Sequence, residues 1–519
     1  MTLKNRSAAL FIISIFFTLD SSFATTLDAI GVTLLRTSDP TLVGTGVKVA
    51  QPEAPYIVES GWEVNPAIVG QPISLFTYTS INGSSSTYTN SLGSNSDHAN
   101  SVGGHFYGTE VGVAPGVAHV DNYEASYFYQ PVVNPGALPI QAKIVNQSFI
   151  FGALPPQTDV DSNYDKFASL NNTLFVSGVG NGGPPNAPAT AYNGIGVGAF
   201  GGASSVGPTV DNGRSKPDIT APAGATSFST PLVAGAAAIL VQAGLRGDGG
   251  AGNTNEAIDI RTLKALLLNG AVKPTNWTHS AFAPLDTRFG TGILNVFNSY
   301  KQLAAGKFPF IESTTIPSGT AHPPGNNSSN IASLIGWDFN SVNSSVQNDG
   351  VNHYYFDLPA GMPATFTLTA MLVWNRQHPV ELAINNLDFY LYNIGTSNLV
   401  ASSVSTVDNV EHIFATGLSA GRYDLQVLKK VGLGKVSMSE SYALAFHFFT
   451  LPLQITHSEN QTILAWPVSP SGFSLQSTPD LNPPISWTPV SNTVLITNNQ
   501  NQVTVPMTSA AQFFRLSGP

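Results

Sequence analysis

The stretch that most constrains this chain is Ala225-Thr226-Ser227-Phe228-Ser229-Thr230-Pro231 with the run Leu232-Val233-Ala234-Gly235-Ala236-Ala237-Ala238-Ile239-Leu240 behind it. The run has little side-chain bulk, so as a helix it can pack tightly against a sheet, and its all-apolar character requires that it be buried. Pro231 reads as a residue of the first helical turn, where a missing N–H costs little. Ser227 then sits at the helix start, among free backbone N–H groups and at the positive end of the helix dipole. An oxyanion forming beside it would be stabilised there. Taken alone, Ser227 or Thr226 reads first as an N-cap.

Before this stretch, apolar strands alternate with helical segments. Val47–Ala50, Val117–Val120, 142–150, Thr173–Val179 and Ile195–Phe200 read as strands, and Asp161–Leu170 as a helix. Ile260–Asn269 and Asn295–Leu303 read as helices after it. Continuous apolar strands separated by helices predict a mostly parallel sheet covered on both faces, an α/β domain. Ser, Thr, Asn and Gly dominate residues 79–95, which read as an exposed loop.

In such a sheet, polar residues at strand ends matter. Glu53 follows the first strand. His98 opens a predicted helix, with His105 two turns further on nearly the same face. Asn181 follows the strand ending at Val179, and Ser227 opens the long helix. A hydroxyl near neutral pH needs an imidazole to take its proton, the imidazole needs an acceptor on its other nitrogen, and the oxyanion needs donors.

At these residues the sequence resembles the subtilisin-like serine peptidases. Gly46-Val47-Lys48-Val49-Ala50 with Glu53 resembles the strand carrying that family's acidic triad member. His98-x-x-x-Val102-x-Gly104 and Gly112-Val113-Ala114-Pro115 are similar to its histidine segment, and Gly180-Asn181 to its oxyanion asparagine. Lys216-Pro217-Asp218-Ile219-x-Ala221-Pro222 and Thr226-Ser227-x-Ser229-Thr230-Pro231-x-Val233-Ala234-Gly235 resemble its serine motif. The resemblance implies a subtilisin-like α/β fold and a serine endopeptidase in which Ser227 attacks, His98 is the base and Glu53 orients it. It also implies that Asn181 holds the oxyanion, and that substrate pairs as an added strand along Ser148, Phe149, Ile150 and Ser177, Gly178, Val179. Its register selects His98 over His105. The chain departs from the family where Glu53-Ala54-Pro55 replaces the usual aspartate segment and Ala225 the usual glycine. Asp97 is the other carboxylate near His98.

Beyond Ala305 the composition shifts. Residues 306–350 read as a linker, 351–450 as an antiparallel β-sandwich with period-two strands such as Thr365–Thr369 and Leu387–Tyr392, and 451–519 as a short β module. The sandwich resembles domains found behind many subtilisin-like catalytic domains, and the last module is similar to those closing exported bacterial proteins. Asn386, Asp388 and Glu411 are candidate calcium ligands; no cofactor is otherwise expected.

Residues 1–24 read as a secretory signal, with Lys4 and Arg6 ahead of an apolar core and Ser22-Phe23-Ala24 as the cleavage site. The remainder, 25–305, is the peptidase-like unit. No later stretch reads as a membrane span. A secreted monomer acting on protein or peptide is expected, in the medium, at the cell surface or in the periplasm. The net charge of −10, with no basic run, argues against nucleic acid as a partner. With no cysteine, disulfides and thiol chemistry are excluded. Two other readings are a subtilisin-fold protein that binds without catalysis, and a surface adhesion or glycan-binding protein that uses its β modules.

Overall fold

A computed structural model describes residues 25–519, except 56–60, 135, 137, 153–156, 361–364, 378–383, 433–435 and, in the C-terminal module, 451–452, 459–460, 468–472, 481–484, 498–499, 507–511 and 518–519. The segment read as a signal, 1–24, lies outside the described residues.

The first domain is built on an eight-stranded sheet. Its strands are β1 (Lys48–Glu53), β2 (Phe76–Ser80), β3 (Gly83–Ser85), β4 (His119–Glu124), β5 (Ile144–Gln147), β6 (Leu174–Gly178), β7 (Ile195–Phe200) and β8 (Ile219–Pro222). They lie in the order β3-β2-β4-β1-β5-β6-β7-β8, with every pair parallel except the β2–β3 hairpin. That hairpin falls in the stretch expected to be a loop; its pairing residues are Tyr78–Ser80 with Gly83–Ser85. The central strands are buried along their length, as a sheet with two covered faces requires.

The helices that place the site are α1 (Asp97–Tyr107), α2 (Gln157–Asn171), α3 (Thr226–Arg246), α4 (Ile260–Asn269) and α5 (Val296–Ala305). Ser96 caps α1 through its side chain and Asn295 caps α5. Helix α3 is long and apolar enough to cross a membrane by composition, which corrects the sequence reading, but 83% of its apolar window is buried inside the protein. It is a core helix. Gly178 lets it lie close to β6, because a Cβ there would meet Thr230 Oγ1 at 3.0 Å and Thr226 Oγ1 at 3.2 Å.

The second domain is a β-sandwich. One sheet holds β10 (Ile335–Asn343), β17 (Ser439–Phe449), β12 (Thr365–Trp374) and β15 (Val410–Ser419) in that order. The other holds β14 (Asn398–Ser403), β13 (Leu387–Asn393), β16 (Gly421–Lys429), β11 (Asn348–Leu358) and β9 (Glu312–Pro317). The stretch read as a linker therefore carries β9, β10 and the start of β11: its Ser- and Asn-rich composition masked strands that end in turns.

The first of these sheets is buried on both faces. Met371 and Val373 of β12, with Ala443 and Ala445 of β17, join the core of the peptidase-like domain, while Leu372, Trp374, Tyr442 and Leu444 pack into the sandwich core. That alternation follows the two-residue period of strands. On the face shared with Met371 and Val373, Thr369 Oγ1 donates to Asn269 Oδ1 of α4 at 2.8 Å. Helices α4 and α5 lie against this sheet, and Trp337 Nε1 donates to the Leu303 carbonyl at 3.1 Å. One face of this sheet thus belongs to the core of the first domain and the other to the core of the sandwich. A third unit, from Leu453 to Ser517, contains two small antiparallel sheets around Leu464, Trp466, Leu475 and Val503.

Candidate active site

Parallel strands deliver their carboxyl ends to one edge of the sheet, and the sequence-selected residues gather there. Glu53 is the last residue of β1. It is 1% exposed. A buried carboxylate needs compensating donors, and two are present. His98 Nδ1 lies 3.0 Å from Glu53 Oε2, and Gln51 Nε2 donates to Glu53 Oε1 at 2.8 Å. Gln51 sits two residues earlier on β1, hence on the same face. Its amide is held in turn: Nε2 also donates to the Ala99 carbonyl at 2.9 Å, and Tyr107 O–H donates to Oε1 at 2.5 Å. Burial, and then the charge of Glu53, hold the Tyr107 phenol far above its ordinary range, so it stays a donor.

His98 is the second residue of α1 and half-buried. Asp97 is exposed and accepts from Asn95 Nδ2 at 3.2 Å. The carboxylate on the His98 ring is Glu53. His105 also lies beside Phe228: its ring centre is 5.9 Å from that of Phe228, and the His98 ring centre is 6.0 Å from it. Burial lowers the His105 pKa, which keeps it neutral near pH 7.

Ser227, half-buried, is the second residue of α3. Pro231 is not in the first turn as the sequence suggested. It stands four residues beyond Ser227, where its N–H would have donated to the Ser227 carbonyl. That carbonyl accepts instead from Ser148 Oγ at 2.9 Å, and Ser148 Oγ accepts from Asn146 Nδ2 at 3.1 Å. A proline inside the helix and a serine after β5 therefore act together to anchor the Ser227 backbone.

Asn181 follows β6 on a glycine loop. Gly180 has φ +103°, a conformation that favours glycine, and a Cβ there would meet Ser205 Oγ at 2.8 Å. Ser205 straps the loop, its N–H donating to the Gly180 carbonyl at 2.7 Å. Asn181 Oδ1 accepts from both Thr226 N–H and Thr226 Oγ1, each at 2.9 Å. With its oxygen turned to the helix start, the amide directs its NH2 the other way.

Phe149 is half-buried against Phe151, and Ile150 is 45% exposed, so Ser148-Phe149-Ile150 borders the site. Ser177, Gly178 and Val179 are buried inside the sheet. Ser177 pairs with both Gln147 and Gly196, Val179 N–H donates to the Val197 carbonyl at 3.0 Å, and the Val179 carbonyl accepts from Asn186 at 3.2 Å. This corrects the expectation that a substrate strand pairs along both segments: the backbone of Ser177 and Val179 is committed to the protein itself.

Behind the site, Asp218 is fully enclosed. Lys216 Nζ lies 2.5 Å from its Oδ2 and Lys264 Nζ 3.2 Å from its Oδ1. Burial opposes the Asp218 charge, but the two ammonium groups and the Gly196 N–H outweigh it and lower its pKa. The Lys-Pro-Asp segment thus fixes β8 and the approach to Ser227.

Asn386, Asp388 and Glu411 do not fit a calcium ion. Tyr390 O–H and Asn386 Nδ2 donate to Asp388, and Lys430 Nζ lies 3.2 Å from it. Ser403 donates to Glu411, whose carboxyl is pushed well up by burial. Among the described residues no group of three or more acidic or histidine side chains is placed to hold a metal.

Gln51, Tyr107 and Phe228 escaped the sequence reading. Only Gln51 left a signal there, a polar residue two positions before Glu53 on one strand face.

Residues 77–292 match the model of the subtilase family, peptidase family S8. That span holds His98, Asn181 and Ser227, whereas Glu53 lies upstream of it. No curated protein sequence matches the chain. Among solved structures, one reported on the assembly of the subtilase cytotoxin SubAB is 15% identical, with a TM-score of 0.37 over 54% of this chain and 96% of that one. The enzymatically active domain of tailspike protein 4 of bacteriophage CBA120 is 12% identical, with a TM-score of 0.16 over 27% of this chain and 20% of its own.

Proposed function

We propose that this chain, whose residues 77–292 match the subtilase family model, is a secreted serine endopeptidase working through Ser227, His98 and Glu53. The observation that carries the reading is the 3.0 Å contact between His98 Nδ1 and a fully buried carboxylate at the end of β1. Glu53 holds the Nδ1 proton and leaves the Nε2 lone pair for the Ser227 hydroxyl. Ser227 Oγ attacks the scissile carbonyl as its proton passes to His98 Nε2. The tetrahedral oxyanion is met by the Asn181 Nδ2 donors and the Ser227 N–H at the start of α3. Collapse transfers the proton from His98 to the leaving amine and leaves an acyl-enzyme on Ser227. Water, deprotonated by His98, then releases the acid.

The exposed edge at Phe149 and Ile150 receives the substrate backbone in extended form. Secretion rests on the pattern of residues 1–24, and a monomer acting on protein is the assembly proposed. The reading is tested by incubating an unfolded protein such as reduced casein with the mature chain and identifying new termini by mass spectrometry. Internal cleavages lost in Ser227→Ala are expected. Cleavage that persists in that variant, or none by the unmutated chain, would overturn the proposal.

A further inference from the structure

A cavity of about 250 Å³ opens where the sandwich meets the peptidase domain, lined by Thr158, Asp161, Tyr192, Asp211 and Arg214 on one side and Arg376 on the other. It contains none of the residues assigned to catalysis.

Arg376 follows β12 and is 2% exposed. Its backbone is pinned: the N–H donates to Asn193 Oδ1 at 2.8 Å and the carbonyl accepts from Asn193 Nδ2 at 3.1 Å. Its Nη1 donates to Asp165 Oδ2 at 3.3 Å. Its Nε and Nη2 are buried without a hydrogen-bond partner. These two nitrogens form the side-on edge of the guanidinium, whose parallel N–H groups match the two oxygens of a carboxylate. Buried donors without acceptors are uncommon and costly.

Arg214 is the contrast. Its Nε donates to Asn212 Oδ1 at 3.0 Å, its Nη1 to the Thr190 carbonyl and its Nη2 to Asp211 at 2.8 Å, so its fork is filled from within the chain. The Tyr192 ring centre lies 4.0 Å from Arg214 Cζ and 5.6 Å from Arg376 Cζ, and the ring lines the cavity. The acids nearby weaken the case for an anion less than their number suggests. Asp165 and Asp211 are each paired with an arginine. Asp161 lies 3.5 Å from Arg214 Nη2 and accepts from Thr190 Oγ1 at 3.0 Å, so its charge is also met from within the chain, and burial pushes its carboxyl up.

We infer that this cavity binds a carboxylate of amino-acid size, gripped side-on by Arg376 with its remainder against the Tyr192 ring. The ligand bridges the two domains, so binding tightens their junction. A free small carboxylate and the carboxyl terminus of a peptide offer the same chemistry.

The test uses the full mature chain and N-acetylglycine, with N-acetylglycinamide and sodium chloride of equal ionic strength as controls. Isothermal titration and thermal melting should show saturable binding of N-acetylglycine and a matching rise in Tm, with neither control producing one. Arg376→Gln should weaken binding at least tenfold. That change also strips Asp165 of its partner, so Thr158→Trp, which fills the cavity and leaves the guanidinium in place, serves as the second variant and should abolish binding with the fold retained by circular dichroism. N-acetyl-triglycine binding more tightly than N-acetylglycine identifies a peptide terminus as the source; equal binding identifies a free carboxylate. No saturable binding above the controls, unaltered binding in Thr158→Trp, or binding of phosphate in place of carboxylates would overturn the inference.

Discussion

The Glu53 carboxylate offers the sharpest perturbation, because its two oxygens have different obligations. Oε1 accepts from Gln51 Nε2 and Oε2 meets His98 Nδ1. In Glu53→Gln the shape is kept and one oxygen becomes an NH2. Gln51 Nε2 is a pure donor, so the new amide must turn its oxygen toward Gln51 and its NH2 toward His98. His98 Nδ1 must then accept, the ring proton moves to Nε2, and the base is lost. The opposite orientation sets two NH2 groups against each other. A wrong tautomer of this kind costs roughly 10³–10⁴ in kcat, which is about 4–5.5 kcal/mol of transition-state stabilisation. Glu53→Asp withdraws the carboxylate by about 1.5 Å, one C–C bond, and stretches the 3.0 Å contact beyond hydrogen-bonding range. A loss of about 10² in kcat/KM is expected from that displacement, even though aspartate is the residue the family resemblance led one to expect. The assay is kcat/KM on a quenched-fluorescence peptide, with Tm measured alongside. Retention of activity within tenfold in Glu53→Gln, or an Asp variant as fast as the unmutated chain, would refute the reasoning.

Ser148→Ala leaves the Ser227 carbonyl without its donor, since Pro231 has no N–H to give; a stability loss of about 1–2 kcal/mol and slower acylation of Ser227 are expected, read by melting and by the rate of inhibitor labelling. Trp337→Ala empties a fully buried site where the sandwich sheet joins the first domain's core, with about 3–5 kcal/mol lost, and melting should remain a single transition because that sheet is part of both cores. Burial lowers the Lys273 pKa to about 7. Above that pH the folded chain binds fewer protons there than the unfolded chain does, so stability rises as pH rises from 7 to 9, by up to about 1.4 kcal/mol per unit for one proton. Lys273→Met should flatten that rise in denaturant titrations at pH 7, 8 and 9.

Much of the site was legible in the sequence because its parts are local. Glu53 at the end of an apolar strand, His98 at a helix start, Asn181 after a glycine and Ser227 before an Ala/Gly helix each announce a strand-to-helix edge. What joins them is not local. The Gln51–Tyr107 relay spans 56 residues, and the Ser148 donor to Ser227 spans 79. Neither separation leaves a periodic trace. The sequence sets Pro231 one turn too early, because proline commonly marks a helix start while here it stands inside the helix, in the second turn. The linker reading failed at β9 and β10 for a related reason: Ser- and Asn-rich flanks dominate a short window, whereas the strands take their stability from β11 and β17. The doubly buried sheet was likewise invisible. The threonines of β12 alternate with apolar residues as in a half-exposed strand, yet Thr367 and Thr369 are buried against the first domain.

The central claim is that His98 and Glu53 activate Ser227. Exposure of the mature chain and of Ser227→Ala to an organophosphorus serine-hydrolase reagent near pH 8, with peptide mass spectrometry to locate the adduct, tests it most directly. A stoichiometric adduct on Ser227, absent from the variant and at least 10²-fold slower in Glu53→Gln, is the predicted result. Folded protein that stays unlabelled, or an adduct on another residue, would contradict it.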